Sequence, residues 1–176
     1  MVGVTRCVQI RQATLRSHRQ RYQFEIKAPT TAAGGLLTGR SVAVKDTICV
    51  AGIPYTGGTQ PYHLSKDIPY PIPTVDATVV TRVLEAGGVI KGTATCENYC
   101  MSLLSFTSAT GPVENPWLRG YSSGGSSSGS AALVAIKAVR AWRQKRGLPA
   151  EDLGEGVDLA LGGDQGGSIR FVSPHR

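Results

Sequence analysis

The chain has 176 residues, of which 41% are hydrophobic, and its mean hydropathy is −0.06. These values predict one globular domain and exclude a largely disordered chain, and no apolar run approaches the roughly 20 residues of a membrane-spanning helix. The net charge of +7 comes mainly from two basic segments that lack the aromatic interleaving of a single-strand binder, so nucleic acid is not an expected partner.

Residues 1–35 are predicted to be a leader and linker, with disorder as one interpretation. The segment carries several arginines, has no acidic residue before Glu25 and ends in a loop-like stretch of Thr, Ala and Gly. An arginine-rich, acid-free start is typical of a mitochondrial transit peptide. The expected compartment is the cytoplasm by default, with the mitochondrion as the alternative.

Regular structure is predicted to begin at Arg40 and to follow a β-α-β order. Residues 40–45 are a β-branched run typical of a strand, whereas residues 52–74 are typical of an irregular loop. Asp76 is expected to cap a helix that two glycines end before a strand at residues 89–90. The apolar face of this helix contains Val79, Val80, Val83 and Leu84. This order predicts an α/β fold with a mixed, largely parallel sheet flanked by helices.

The second half of the chain contains two segments rich in glycine and serine. Residues 102–130 are predicted to be mostly loop, residues 131–142 a helix and residues 157–161 a strand. The segment GGSSSGS at 124–130 precedes the helix, and GGDQGGSIR at 162–170 follows the strand. Because α/β folds place ligand sites after the carboxyl ends of strands, the second segment is the candidate site.

Ser168 lies in this second segment after two glycines. Glycines before a serine allow successive backbone N–H groups to converge on one point, where they stabilise an oxyanion while the hydroxyl attacks. The first segment has two other interpretations, a flexible linker and a phosphate-binding loop. It lacks the Gly-Lys-Ser/Thr ending of a nucleotide-binding P-loop.

A serine nucleophile also needs a base. The three histidines are His18, His63 and His175. They lie in the leader, in the loop and at the end of the chain, and none is well placed for a Ser-His-Asp triad. Lys45, at the end of a predicted strand, is the other candidate. Cys96 and Cys100 lack a second Cys/His pair, so no metal site is expected and the thiols are interpreted as idle or buried.

Five motifs in one order resemble the amidase signature family. They are AVKD at 43–46, DATVV at 76–80, GP and NPW within 111–117, GGSSSGS at 124–130 and GGDQGGSIR at 162–170. The match extends from about Gly39 to Arg170, and the ordered set is far more specific than any single motif. The resemblance implies the amidase-signature fold and hydrolysis of a carbon–nitrogen amide bond in a small-molecule substrate.

The resemblance also implies a role for each matched position. Ser168 would be the nucleophile, Ser126 the bridging serine in a cis peptide, and Lys45 the base. The oxyanion hole and substrate contacts would come from the backbone of Gln165, Gly166, Gly167 and Ser168, beside Ser126. The supporting residues would be Ser127, Asp164 and Arg170. The reaction would pass through an acyl-enzyme and need no metal or organic cofactor.

Two segments depart from the family pattern. Residues 136–153 form a basic insertion, expected to be either a longer helix with a surface loop or foreign sequence. After Arg170 the family continues for several hundred residues, whereas this chain has six more. Residues 36–176 are therefore predicted to be the N-terminal portion of an amidase domain, and we expect poor or no activity from them alone.

Two further functions stay open. One is a glutaminase-type subunit of a tRNA-dependent amidotransferase, which would imply partner proteins that the sequence does not identify. The other is a non-catalytic fragment of an amidase that binds a partner through an exposed sheet edge.

Overall fold

A computed structural model describes residues 11–12, 20–27, 34–60 and 70–172 of the chain. The strands are β1 (Arg11–Gln12), β2 (Gln20–Ile26), β3 (Ser41–Lys45), β4 (Val89–Ala94) and β5 (Leu159–Leu161). The α-helices are α1 (Thr78–Glu85) and α2 (Ser128–Gln144). Short 3-10 turns lie at Asn98–Cys100, Glu151–Leu153 and Arg170–Val172. No helix in these described ranges is long and apolar enough to cross a bilayer.

The strands form one mixed sheet, which confirms the predicted fold class. In the part of the chain that the structure describes, the sheet has five strands in the order β1-β2-β4-β3-β5. The central strand β3 is parallel to both β4 and β5, whereas β1 and β2 add an antiparallel edge. The parallel centre follows from the β-α-β connection through α1.

Strand β3 separates two apolar layers because successive side chains of a strand point to opposite faces. Val42 and Val44 are fully buried in the layer that contains the apolar residues of α1. Ala43 is buried in the layer that contains Leu133 of α2. Lys45, two residues after Ala43, therefore belongs to the face that α2 covers.

The sheet begins earlier than the sequence analysis predicts. Strand β2 lies within the predicted leader and pairs antiparallel with β4. Phe24 and Ile26 are 6% and 3% exposed and belong to the same apolar layer as Val42. The predicted start at Arg40 is therefore corrected, because this earlier segment buries apolar side chains against the sheet. The rest of the predicted leader lies largely outside the described residues.

Three element boundaries also differ from the predictions. Helix α1 is preceded by Ala77 rather than capped by Asp76, whose Oδ1 accepts the Ala51 N–H at 2.8 Å. Val79 is 42% exposed and does not share the buried face of α1. Helix α2 starts at Ser128, inside the GGSSSGS segment, and β5 starts two residues later than predicted.

Residues 136–153 form the second half of α2, a loop and a 3-10 turn. The buried members of this segment, which pack in the layer of Ala43, are Ile136, Val139, Ala150 and Leu153. The segment thus contributes apolar side chains to the core while its basic residues are mostly exposed. Arg140 ties the helix to the loop, since its Nη1 donates to the carbonyl oxygens of Ala150 and Gly154 at 3.2 and 2.7 Å.

Candidate active site

The candidate site lies at the carboxyl edge of the parallel strands. In the register of the sheet, Lys45 at the end of β3 pairs with Ala94 at the end of β4. Val44 pairs with Leu161, the last residue of β5. The segments that follow these strands therefore meet at one edge, as is usual for ligand sites of α/β folds.

Three predicted site residues form a continuous hydrogen-bonded chain at this edge. Lys45 Nζ donates to Ser126 Oγ at 2.9 Å, and Ser126 Oγ donates to Ser168 Oγ at 2.8 Å. Lys45 and Ser126 are 1% and 0% exposed, whereas Ser168 is 9% exposed. This hydrogen-bonded chain is therefore most deeply buried at Lys45 and Ser126 and least buried at Ser168.

Ser126 lies in the serine loop, the segment 124–130 that leads into α2. The Gly125–Ser126 peptide is cis, as the family resemblance implies. The Ser127 N–H donates to Ser168 O at 3.2 Å, and the Gly129 N–H donates to Thr95 O at 3.1 Å. A flexible linker is excluded because Ser126, Ser127 and Ser128 are all buried. Their hydroxyls also hydrogen-bond within the protein, which a phosphate-binding loop would not favour.

Ser168 lies in the glycine turn, the segment 162–170 after β5. Asp164 holds this turn by accepting the backbone N–H groups of Gly167 at 2.7 Å, Ile169 at 3.1 Å and Arg170 at 3.2 Å. The Arg170 guanidinium also donates to both carboxylate oxygens, at 2.9 and 3.0 Å. The Arg170 side chain holds the pKa of the Asp164 carboxyl well below its usual range, and the backbone donors add to this effect.

Gly167 has a backbone conformation that favours glycine, with φ at +122°. A Cβ atom at this position would lie 2.4 Å from the Phe171 ring. Its N–H group already donates to Asp164, so this amide is committed to the turn. Gln165 and Gly166 are exposed and line the cavity next to Ser168.

A cavity of about 760 Å³ opens over the relay. Its polar groups include Lys45 and Ser168, and the glycine turn forms one wall. The lining also contains the apolar and aromatic side chains of Ile48, Tyr55, Tyr99, Met101 and Leu103. An uncharged organic molecule with a carbonyl group near Ser168 fits this division of polar and apolar surface.

A family model described as Amidase matches residues 5–141. The chain belongs to the Amidase family. The match begins within the predicted leader, before the first motif at residue 43, and it ends before the glycine turn. It thus covers β2 and the serine loop, in agreement with the observed start of the sheet.

Similar proteins of this family include amidases and components of amidotransferases. An enantioselective amidase of Rhodococcus rhodochrous is 45% identical over 140 residues, which are 78% of this chain and 22% of the relative. A glutamyl-tRNA(Gln) amidotransferase subunit of Haloarcula marismortui is 42% identical over 139 residues, 79% of this chain and 27% of the relative. The chain therefore spans about a quarter of the length of these relatives.

Solved structures of the family share the fold of this chain. A crystal structure of an amidase is 33% identical, with a TM-score of 0.57 over 77% of this chain and 26% of that chain. A glutamyl-tRNA(Gln) amidotransferase subunit from Thermotoga maritima is 30% identical, with a TM-score of 0.59 over 86% of this chain and 27% of that chain.

Cys100 is a site residue that the sequence analysis interpreted as idle. It lines the cavity, and both Tyr99 and Cys100 have positive φ, at 47° and 58°. A hydrogen bond from Cys96 lowers the pKa of the Cys100 thiol to about 5, with further contributions from Lys45 and Ser126. The pKa of Cys96 is raised because it is the donor in this pair and is buried. The CxxxC spacing was visible in the sequence, but the position beside Lys45 was not.

Neither a metal site nor a histidine triad is found among the described residues. Within residues 11–12, 20–27, 34–60 and 70–172, no group of three or more His, Cys, Asp or Glu side chains could hold a metal ion. The three histidines, His18, His63 and His175, all lie outside the described residues.

Proposed function

We propose that this chain carries the catalytic centre of an amide-bond hydrolase of the Amidase family. The observation that supports the proposal is the buried chain of hydrogen bonds from Lys45 Nζ through Ser126 Oγ to Ser168 Oγ. In this proposal Ser168 is the nucleophile, Ser126 transfers the proton and Lys45 is the base.

The reaction follows from the order of these three groups. In the structure the hydrogen bonds run from Lys45 Nζ to Ser126 and from Ser126 to Ser168. When Lys45 is neutral, the same contacts support proton transfer the other way, from Ser168 through Ser126 to Nζ. Ser168 Oγ attacks the amide carbonyl carbon, and its proton moves along the relay to Lys45. Collapse of the tetrahedral intermediate breaks the carbon–nitrogen bond while the relay returns a proton to the leaving amine. Water then attacks the acyl-enzyme ester and releases the acid.

The developing oxyanion needs donors on the other side of the carbonyl. The glycine turn offers the backbone amides of Gln165, Gly166 and Ser168 beside the nucleophile, whereas the Gly167 amide already donates to Asp164. Loss of one such donor typically lowers turnover by about 10²–10³-fold. The open, glycine-rich backbone of the turn is therefore as important to the proposal as the three side chains.

The proposed substrate is a small organic amide, with the relay and the glycine turn at its carbonyl. The apolar side chains of the cavity lining favour a substrate whose acyl group is apolar or aromatic. Each proposed step uses only the named side chains, backbone amides and water. The proposal places the protein in the cytoplasm, and it includes β2 in the amidase domain because this strand pairs with β4.

The first experiment is reaction of the purified 176-residue chain with a fluorophosphonate probe, followed by peptide mapping of the labelled serine. We expect label on Ser168 and none in Ser168→Ala. The matched control is Ser41→Ala, which removes a partly buried hydroxyl at the opposite edge of the sheet. A folded wild-type chain without label, or with label elsewhere, would contradict the proposal and favour a non-catalytic fragment that binds a partner.

A second candidate function is the glutaminase step of a tRNA-dependent amidotransferase. The identity of 42% to an amidotransferase subunit is close to the 45% found for the amidase. This function predicts ammonia release from glutamine in the presence of partner proteins. Release of ammonia from a simple aryl amide but not from glutamine would favour the stand-alone amidase.

A further inference from the structure

Glu97 is a fully buried acid that the proposed reaction does not use. It follows β4 by three residues and is 0% exposed. Its carboxylate accepts three hydrogen bonds. The Ser128 hydroxyl donates to Oε1 at 2.7 Å, while the N–H and hydroxyl of Thr107 donate to Oε2 at 2.7 and 2.8 Å. A carboxylate needs such donors when it is removed from water, and here all of them are neutral groups.

Glu97 also contacts the serine loop through its backbone and its stem. The Glu97 N–H donates to Ser126 O at 3.2 Å. A Cβ atom on Gly125 would lie 3.0 Å from Glu97 Cγ, so the stem of Glu97 packs directly on that glycine. Together with the Ser128 contact, Glu97 therefore touches the loop at Gly125, at Ser126 and two residues after Ser126.

We propose that Glu97 is a positioning residue that fixes the Ser126 hydroxyl between Lys45 and Ser168. The inference rests on the proposed function, because it assigns Glu97 a role in the same proton relay. The relay contacts of 2.9 and 2.8 Å leave little room for movement of Ser126. A displacement of about 1 Å in such an arrangement can cost about 10²-fold in rate.

The carboxylate suits this role because it accepts hydrogen bonds from two segments at once. Thr107 belongs to the loop after the 3-10 turn, whereas Ser128 is the first residue of α2. Oε1 accepts from Ser128 and Oε2 from Thr107, so one side chain links the two segments. Glu97 thus holds the start of α2 to the loop that contains Thr107, two residues after Ser126.

The test compares Glu97→Met with Glu97→Gln and Ser128→Ala. Methionine keeps the approximate length but accepts none of the three bonds, whereas glutamine keeps one oxygen acceptor. The matched control is Ser41→Ala, which removes a hydroxyl–carboxylate bond to Asp158 that is also 2.7 Å long. Two rates are measured, the maximal labelling rate of Ser168 and hydrogen exchange of the Ser127 and Gly129 amides.

We expect Glu97→Met to lower the maximal labelling rate by about 10- to 100-fold, with little change in the probe concentration for half-maximal rate. Ser128→Ala should have a smaller effect of the same kind, and Glu97→Gln should recover most of the rate. Exchange of the Ser127 and Gly129 amides should increase about 10-fold or more while exchange in β3 and β4 is unchanged.

Two outcomes would overturn the inference. One is a Glu97→Met chain with labelling and exchange equal to wild type. The other is faster exchange throughout the sheet in step with a lower melting temperature, which a purely structural acid would produce. If the wild-type chain takes no label but Glu97→Met still frees the two amides selectively, the positioning role stands and the proposed reaction fails. If Glu97→Met does not fold, Glu97→Gln and Ser128→Ala carry the same comparison.

Discussion

The serine loop and the glycine turn are both rich in glycine and serine, yet they are held in opposite ways. Ser126, Ser127 and Ser128 are at most 1% exposed and are fixed by hydrogen bonds to Glu97 and Ser168. In the glycine turn, Ile169 is 47% exposed, and the turn is held mainly by the single carboxylate of Asp164.

This difference separates the two ends of the proposed relay. The lysine end is built into the protein core, so a change there affects both proton transfer and packing. The nucleophile end is a local structure at the surface, so a change there should alter Ser168 with little effect on global stability. Substitutions in the two regions should therefore differ in the ratio of lost reactivity to lost stability.

The largest effect is expected at the core end, for Lys45→Met. Removal of a base that acts as one unit with the nucleophile should lower Ser168 labelling by about 10³-fold or more. The melting temperature should also fall, because Lys45 is buried in the core and its removal leaves the buried Ser126 hydroxyl without its donor. The matched control is Lys91→Met on the adjacent strand β4, where Lys91 is an exposed partner of Glu25. A Lys45→Met chain that labels within about tenfold of wild type would remove Lys45 from the relay.

The next effect is expected in the glycine turn, for Gly167→Ala. The added Cβ would meet the Phe171 ring at 2.4 Å, and φ of +122° is unfavourable for alanine. The resulting shift of Ser168 should lower labelling by about 10²-fold. Gly163→Ala is the control in the same turn, since a Cβ there meets no atom within 4 Å. Addition of Phe171→Ala should restore part of the lost rate, and no loss in Gly167→Ala would show that the turn adapts freely.

A smaller effect is expected for Asp164→Asn, about tenfold on labelling, because the pairing with Arg170 is lost. A group whose folded pKa is depressed contributes stability above its unfolded pKa and loses it as the pH falls through the folded value. The glycine turn of the wild type should therefore stay intact near pH 4, where an ordinary aspartate is about half protonated. The labelling rate of Ser168 should accordingly show no separate decrease at that pH. Asp158→Asn is the control, since Lys137 and Ser41 lower the pKa of Asp158 in the same way at the other edge of the sheet. Equal effects of the two variants would contradict a local role for Asp164.

Much of the candidate site in both regions could be predicted from the sequence. The order of motifs was enough to select Lys45, Ser126 and Ser168, which the structure brings within hydrogen-bond distance. The period-2 alternation of strands explains why Lys45 faces α2. Motif order works here because Lys45 ends β3, Ser126 lies just before α2 and Ser168 follows β5, and parallel strands bring such points to one edge.

Other features were not recognised from the sequence. Tyr22, Phe24 and Ile26 alternate as in a strand, but the surrounding arginines favoured a leader. Glu97 is a single acid without a spacing signal, and its role follows only from burial against Ser128 and Thr107. Such residues are recognised once tertiary packing shows which polar groups are removed from water.

The smallest effect is expected at Cys100, a thiol that lines the same cavity as Lys45 and Ser168. Its pKa of about 5 predicts that it is about 90% thiolate at pH 6, where free glutathione with a thiol pKa of about 8.5 is about 0.3% thiolate. Low-pKa thiolates are weaker nucleophiles, which offsets most of this advantage. At pH 6 we therefore expect Cys100 to react with iodoacetamide about eightfold faster than glutathione does. Above about pH 7 the order should reverse, because glutathione then supplies enough of its stronger thiolate. Cys96→Ala should move this crossover to higher pH, since the hydrogen bond from Cys96 is the main cause of the lowered pKa, whereas Cys49→Ala should not. The opposite result would be a Cys100 reaction rate that rises with pH in parallel with the rate of glutathione. That result would mean that the site does not stabilise the Cys100 thiolate.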